Sequence, residues 1–309
     1  KSIYRLMYRK RTSGKILHGG KNMTLNKHDF YLLQAMERMS NTGYKDQNPR
    51  AKYKDGTPSH TLSIRGGVYE VYDLQDLEFP ITETRPIAIK SAINEVLAFY
   101  QDQTNRLEDF EKRGLNWWKE WALEDETIGQ RYGATVKRYN QMDTLLHNLE
   151  HDPFSKRHII DLWQLADFKE TEGLLPCAFL TMWTVSVVDG EKYLDLTLVQ
   201  RSSDALVAGT GINQIQYVAL QMMVAKHLGI KAGLFEYYRK NFHFYDRHEE
   251  QVVETIKRLE ELRKREFTGF PRLQLDVPDK TNFYDIKVTD FKLIDYQPIK
   301  PQMKFDLGI

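Results

Sequence analysis

Apolar and polar positions along this chain follow two periods, and the clearest change between them falls near the middle. Residues 179–188 and 193–200 are apolar runs rich in β-branched and aromatic side chains, joined by Asp189-Gly190. Two such runs across an Asp-Gly step predict a β-hairpin. The second run ends on Gln200-Arg201-Ser202-Ser203-Asp204, a glycine-rich loop follows, and Asn213 leads into a segment of helical period that stops at Gly229. His243-Phe244-Tyr245 then sits in an aromatic strand. Upstream, the spacing of Phe30, Leu32, Leu33, Met36 and Met39 predicts a helix over 26–39. A second helix is predicted over 87–100, with Ile89, Ile93, Leu97 and Phe99 on its apolar face and Glu95 close to that face. Residues 61–72 alternate as one strand with a bulge at Gly66-Gly67. Residues 44–60 read as loop, 140–149 as a short amphipathic helix and 158–163 as a strand. A charge-laced helix is expected over 249–265 and short strands over 283–309. No internal repeat, low-complexity tract or Pro/Gly/Ser linker divides the chain, so one domain over 26–309 behind a tail at 1–25 is the simpler organisation.

Composition changes this picture mainly by exclusion. The chain is 41% hydrophobic and 28% charged with a formal net charge of +1, as in a soluble globular protein. Near neutrality argues against bulk electrostatic binding to nucleic acid. No apolar run approaches the ~20 residues of a membrane-spanning helix. Cys177 is the single cysteine, which rules out an internal disulfide framework and leads us to expect a cytoplasmic protein. Residues 1–22 carry seven Lys/Arg and no acid. A nucleic-acid arm, a targeting peptide and an added tail ahead of Met23 all fit such a segment, and we take the last.

The side chains able to do chemistry fall at the ends of predicted elements. The Cys177 thiol precedes the hairpin, the Arg201 guanidinium and Ser202 hydroxyl end it, the Asn213 amide opens a helix, and His243 and Tyr245 close a strand. Each also has a plainer reading. Cys177 suits a buried small hydrophobe, Glu95 a helix-edge charge, the cluster Trp117, Trp118 and Trp121 a piece of core, and Lys156-Arg157 a solvated cation pair. Other motifs fail outright. Gly209-Thr210-Gly211 lacks the third glycine and the lysine of phosphate-binding loops. His243 and His248 are not on one helical face and Cys177 has no partner at zinc-ligand spacing, so no metal is expected. A Gly-x-Ser-x-Gly elbow is absent.

Taken in order, these residues resemble the thymidylate synthase family. The likeness rests on Asp55-Gly56-Thr57-Pro58-Ser59-His60-Thr61-Leu62-Ser63, Asn94-Glu95-Val96-Leu97, Trp118-x-x-Trp121, Ile128-Gly129-x-x-Tyr132-Gly133 and Asp152-Pro153-x-Ser155-Lys156-Arg157. It continues with Pro176-Cys177, Gln200-Arg201-Ser202-x-Asp204, Asn213 with Tyr217, His243-x-Tyr245, Phe283-Tyr284-Asp285 and Asp290-Phe291-x-Leu293, covering residues 28–309. The resemblance implies an α+β (α/β) single domain: a large mixed β-sheet with helices packed on one face and a homodimer partner against the other. It further implies one-carbon transfer from 5,10-methylenetetrahydrofolate to C5 of dUMP. Cys177 would add to C6, because uracil is unreactive at C5 until a nucleophile does so. Arg201 would favour the thiolate and, with Ser202, hold the phosphate. Asn213 would read the uracil edge, since one amide offers both the donor and the acceptor that O4 and N3–H require. His243 and Tyr245 would bind the sugar 3′-hydroxyl, Glu95 would order water and move protons, and Tyr132 would help remove the C5 proton. Asp204, Trp118 and Arg85 would face the reduced folate, the chain end at Ile309 would close over both ligands, and Lys156 and Arg157 would reach the partner subunit's phosphate site.

The chain departs from the family pattern in several places. Ala178 follows the nucleophile where histidine is usual, Met182 stands for a glutamine, Ala98 for a tryptophan and Lys156 for an arginine. The phosphate-loop arginine is Gly56 here, leaving Arg50, Lys52 or Lys54 as substitutes. The loop at 207–212 is one residue longer than the family's and lacks its Pro-Phe. Two outcomes for the transferred methylene follow: reduction to dTMP, as in thymidylate synthase, or hydration, as in a phage-type deoxyuridylate hydroxymethylase. Trp118 and the apolar chain end favour a dry pocket and reduction; the altered loop and Ala98 favour water.

Overall fold

The computed structural model describes residues 25–266 and 268–306. The basic tail therefore lies outside the described residues apart from Leu25, as does the chain end at Ile309. Helix α1 (Lys27–Thr42) is followed by β1 (Tyr44–Lys45), β2 (Thr61–Ser63) and β3 (Val68–Asp73). Helix α2 (Ile89–Tyr100), α3 (Leu107–Lys112), a 3-10 turn at Asn116–Trp121, α4 (Gly133–Arg138) and α5 (Gln141–His151) come next. Then follow β4 (His158–Asp161), α6 (Leu165–Glu170), the long strands β5 (Ala178–Val188) and β6 (Glu191–Asp204), α7 (Ile212–Leu228) and β7 (Lys231–Tyr245). Helix α8 (Glu249–Leu262), β8 (Arg272–Leu275) and β9 (Phe291–Ile294) complete the chain.

Seven strands form one mixed sheet in the order β1-β2-β7-β6-β5-β4, with β3 also on β7. Only the β6–β7 pairing is parallel. The hairpin forms because Asp189 (φ 51°) and Gly190 (φ 84°) both take positive φ, as a two-residue type I′ turn requires. The parallel step needs a crossover, and α7 supplies it. Its residues Ile215 to Leu220 are all buried, as expected of a helix apolar on every side. Gly229 ends it in the left-handed conformation, its N–H returned to Ala225 and Lys226 carbonyls. Helix α7 thus lies between the sheet and α2, and Ala92, Ile93 and Val96 of α2 join its core. A row across the inner face, Trp183, Leu196, Phe235 and Tyr72, is buried; the adjacent row, Ile159, Met182, Thr197, Glu236 and Val71, faces outward.

Three expectations need correction. The strand expected over 61–72 is two strands, β2 opposite Tyr245–His243 and β3 opposite Arg239–Leu234. Residues 64–67 stand against only 240–242, so the extra residue at the glycines interrupts pairing instead of bending a continuous strand. Gly66 has φ +85°, and a Cβ on Gly67 would sit 2.6 Å from the Tyr238 ring. The 44–60 loop contains the two-residue strand β1. Over 283–306 only β9 is a strand; residues 283–285 and 288–290 are 3-10 turns, and the partner of β9 is the unexpected β8.

An ion pair crosses β3 and β7 inside this frame. Arg239 (1% exposed) donates to Glu70, which also accepts from Tyr72 Oη at 2.7 Å. The guanidinium lies over the rings of Tyr237 and Phe242 at 4.6 and 4.3 Å and donates to Gly209 O at 3.1 Å. Burial lowers the pKa of Arg239 to about 9. Removing one member strands the other charge. Glu70→Ala should therefore lower the unfolding free energy by about 3–5 kcal/mol, read as a fall in urea midpoint at constant slope. Replacing both, as Glu70→Leu with Arg239→Met, should recover most of that loss. A Glu70→Ala cost below about 1 kcal/mol, the range of exposed pairs, would show that water reaches the pair.

Candidate active site

The hairpin and α7 place Cys177, the candidate nucleophile. Cys177 sits immediately before β5, and its carbonyl accepts from Arg201 N at 2.9 Å at the far end of β6. The Arg201 side chain wraps the same turn, donating through Nε to Pro176 O (2.9 Å) and through Nη2 to Leu175 O (2.8 Å), beneath the Trp163 ring. Cys177 is partly exposed. Desolvation pushes its thiol pKa up, and the Arg201 and Arg50 charges pull it back down. Of the three cations available in the 50–54 segment, Arg50 is the one that acts here, while Lys54 pairs with Glu120. Patterning gave no means of choosing among them, because the choice depends on where an exposed loop lies against β7 and the hairpin.

Tyr132 stands next to Cys177 with its hydroxyl against the Cys177 backbone N–H. Its backbone is at φ 48°, ψ −111°, a conformation costly for an aromatic residue. Stacking on Phe99 (centroids 4.6 Å apart) and edge contact with Trp118 (5.3 Å) hold it there. Burial keeps its phenol protonated, with a pKa well above the ordinary value.

Glu95 projects from α2 into the seam with α7 and is 7% exposed. Its Oε1 accepts from the indoles of Trp117 (2.8 Å) and Trp118 (2.6 Å), and its Oε2 from Gln216 Nε2. Desolvation raises the carboxyl pKa and the three donors oppose that. The tryptophan cluster is thus both core and ligand: Trp118 is buried against Phe110 and Phe99 while its N–H serves Glu95. Asn213 opens the first turn of α7. Its Nδ2 donates to Gln216 Oε1 and its Oδ1 accepts from Gln200 Nε2, both at 3.0 Å. Gln216 is the member that sequence reasoning missed, and Trp117 was read there only as a piece of core. The one signal for Gln216 was its position three residues after Asn213, where helical side chains meet.

Three residues beyond Arg201, at the C-terminal end of β6, Asp204 lies opposite His243 of β7 in the sheet. Asp204 Oδ1 caps the next loop at Leu206 N (2.8 Å) and Val207 N (3.3 Å), while its buried Oδ2 has no hydrogen-bond partner, His248 Nδ1 being 3.9 Å away. His243 meets Asn241 Oδ1 at 2.6 Å and the Tyr245 ring edge-on, and desolvation lowers its pKa. Ser202 is partly buried beside Arg201. Arg85, expected near the folate tail, is bonded to the loop after β6. It donates to Leu206 O, Val207 O and Thr210 Oγ1 at 2.8–3.2 Å and lies 5.2 Å from the Phe305 ring centroid. Desolvation lowers its pKa to about 10. Lys156 and Arg157 are exposed just before the edge strand β4, away from this cluster and with no ion pair among the described residues. Phe305 and Asp306, the last part of the described chain, pack on His248. A separate cleft of about 670 Å³, lined by Leu74, Phe79, Met222 and Ile230, contains none of these residues. Among the described residues no three His, Cys, Asp or Glu side chains are grouped to hold a metal.

A thiol flanked by guanidiniums, an oriented amide and a buried carboxylate suit nucleophilic addition to a pyrimidine followed by proton transfer. The family model described as thymidylate synthase matches residues 31–309. Thymidylate synthase of Lactococcus lactis subsp. lactis is 52% identical over 278 residues, covering 89% of this chain and 97% of that one. That of Streptococcus pneumoniae is 51% identical over 287 residues, covering 92% and 100%. The solved structure of thermostable thymidylate synthase A from Bacillus subtilis aligns with a TM-score of 0.77 at 32% identity, over 91% of this chain and 99% of that one. The loop, hairpin and helix around Cys177 are therefore those of a known enzyme class, and the chain belongs to the thymidylate synthase family.

Proposed function

We propose that this chain methylates dUMP at C5, producing dTMP. The observation that carries the reading is the placement of the Cys177–Arg201 turn beside the bonded set Gln200, Asn213, Gln216 and Glu95. Similarity to proteins named thymidylate synthase over nearly the whole chain favours reduction of the methylene over its hydration.

Each residue then has a task set by its surroundings. Cys177 Sγ bonds to C6 of uracil, and the charge that develops on O4 meets the second N–H of Asn213. Arg201 and Arg50 stabilise the thiolate and, with Ser202, bind the phosphate. His243, kept neutral by burial, and Tyr245 bind the 3′-hydroxyl. Glu95 moves protons at the pyrimidine, and Tyr132, at the Cys177 backbone, helps take the C5 proton. The reduced folate, 5,10-methylenetetrahydrofolate, supplies both the one-carbon unit and the hydride. The unpartnered, buried Asp204 Oδ2 fits a donor on that co-substrate, and the Trp118 and Trp117 rings would wall its ring. Arg85 acts on the same ligand through the loop and Phe305, not by direct charge, and Ile309 would close over it. The exposed outer sheet row fits a second copy of this chain, which would bring Lys156 and Arg157 to the partner's phosphate site. A catalytic thiol with no disulfide partner suits a cytoplasmic enzyme.

Three outcomes test the reading. Incubation with dUMP and methylenetetrahydrofolate should give dTMP and dihydrofolate in equal amounts; 5-hydroxymethyl-dUMP without dihydrofolate would sink it. Cys177→Ala should abolish turnover, with dUMP binding by calorimetry retained. Arg50→Gln should raise the thiol pKa, because one of the two cations lowering it is gone. The pH at which iodoacetamide alkylates Cys177 at half its maximal rate should move upward, and an unmoved profile would assign the thiolate to Arg201 alone.

A further inference from the structure

Gln216 is 4% exposed and both ends of its side-chain amide are used, one on Asn213 and one on Glu95. The bonds extend both ways into one directed chain. Tyr237 Oη donates to Gln200 Oε1, and Gln200 Nε2 donates to Asn213 Oδ1 and to Ser202 O (2.8 Å). Asn213 Nδ2 donates to Gln216 Oε1, and Gln216 Nε2 donates to Glu95. An amide has a donor end and an acceptor end, so a chain of amides has only two possible directions. Here both termini are acceptor-only groups, the Ser202 carbonyl at one end and the Glu95 carboxylate at the other. With these acceptors Gln200 must present its nitrogen to Asn213 and Gln216 its oxygen, which leaves Asn213 a single orientation.

We infer that Gln216 is a specificity-determining positioning residue, locking the Asn213 amide in the orientation that reads uracil and coupling it to Glu95. The inference rests on the reading of this cluster as a pyrimidine nucleotide site. With Nδ2 toward Gln216 and Oδ1 toward Gln200, the remaining N–H and lone pair of Asn213 match O4 and N3–H of uracil. Cytosine presents the reverse, an acceptor at N3 and a donor at N4, and would require the flipped amide. Flipping places Asn213 N–H against Gln200 N–H and Asn213 Oδ1 against Gln216 Oε1, two like-against-like contacts in a buried site. The same glutamine donates to Glu95, so its loss also makes that carboxylate easier to protonate. Tyr132 and Tyr217 feel the Glu95 charge and both have pKa values well above 10, and Tyr132 is in turn coupled to Cys177. Substituting Gln216 changes neither Cys177 nor His243, so a difference in the acid limb of the kcat–pH profile between wild type and a Gln216 variant reports Glu95.

Two variants separate the roles. Gln216→Met keeps the length and removes the amide; Gln216→Glu still accepts from Asn213 but faces Glu95 with a second carboxylate. Binding of dUMP and dCMP is measured by calorimetry without folate, kcat for dUMP is followed against pH, and thermal unfolding reports the fold. For Gln216→Met the preference for dUMP over dCMP should fall by about tenfold or more, since a site built to pair a polar edge loses its discrimination with the pairing group. Its acid limb should move to higher pH. Gln216→Glu should keep the wild-type preference and still move the acid limb upward. Gln216→Met with wild-type preference and wild-type limb overturns the inference while dUMP turnover stands. If Gln216→Met does not fold, an unmoved limb in Gln216→Glu overturns the coupling by itself. A wild-type chain that binds neither nucleotide overturns the reading of the site and this inference with it.

Discussion

Taking a carboxylate out of water costs several kcal/mol unless donors replace the water it loses, and the arrangement around Glu95 follows from that constraint. Helix α2 carries Glu95 into an apolar seam and so requires donors from both sides of it. The 3-10 turn at Asn116–Trp121 supplies two indoles, and the first turn of α7 supplies Gln216. These donors are also packing residues: Trp118 fills the space between Phe99, Phe110 and Tyr132. Core and site therefore cannot be separated at this point. A change that repacks the aromatic cluster also changes the ionisation of Glu95.

The loop after β6 presents the opposite problem, an irregular backbone whose carbonyls enter the interior. Two buried guanidiniums satisfy it from opposite sides. Arg85 takes Leu206, Val207 and Thr210, and Arg239, paired to Glu70 beneath the sheet edge, takes Gly209. Gly209 is needed there because a Cβ would meet the Asp204 carbonyl at 2.6 Å. The loop leads directly into the turn that carries Asn213 and Gln216, so its rigidity is inherited by the groups proposed to read the nucleotide. Further bonds at Leu206, Val207, Gly209 and Thr210 hold the loop against the interior.

Local features were legible in the sequence to the extent that their causes are local. Asp189-Gly190 gave the hairpin and Gly229 the end of α7, because positive φ at those positions is a property of the residues themselves. The residue types at the element ends marked Cys177 and Asn213 as candidates, and the family resemblance spread over most of the chain is what implied their roles. What could not be read were the partners across the fold. Residues 61–72 alternate like one strand, and only the length of the opposing segment on β7 shows that pairing must break. The bonds of Arg85 to the loop carbonyls were not legible either, because a single charge on a loop says nothing of the carbonyls that will surround it. Gln216 looked like one more polar residue at a helix start.

The outer face of the sheet shows how far the same logic extends. The row Ile159, Met182, Thr197, Glu236 and Val71 mixes apolar side chains with one carboxylate, and Tyr69 is 53% exposed beside it. Glu236 is already bonded, accepting from Tyr69 Oη at 2.5 Å and Thr197 Oγ1 at 2.6 Å. A carboxylate satisfied within its own sheet can be covered by a partner at far less cost than a bare one. The apolar neighbours supply the favourable area for that covering, and the row ends on the edge strand preceded by Lys156 and Arg157. Burying this face against a second copy would carry those two cations over the boundary between subunits. Under the proposed dimer, that would give a physical reason for the site to be completed by the partner instead of being closed within one chain.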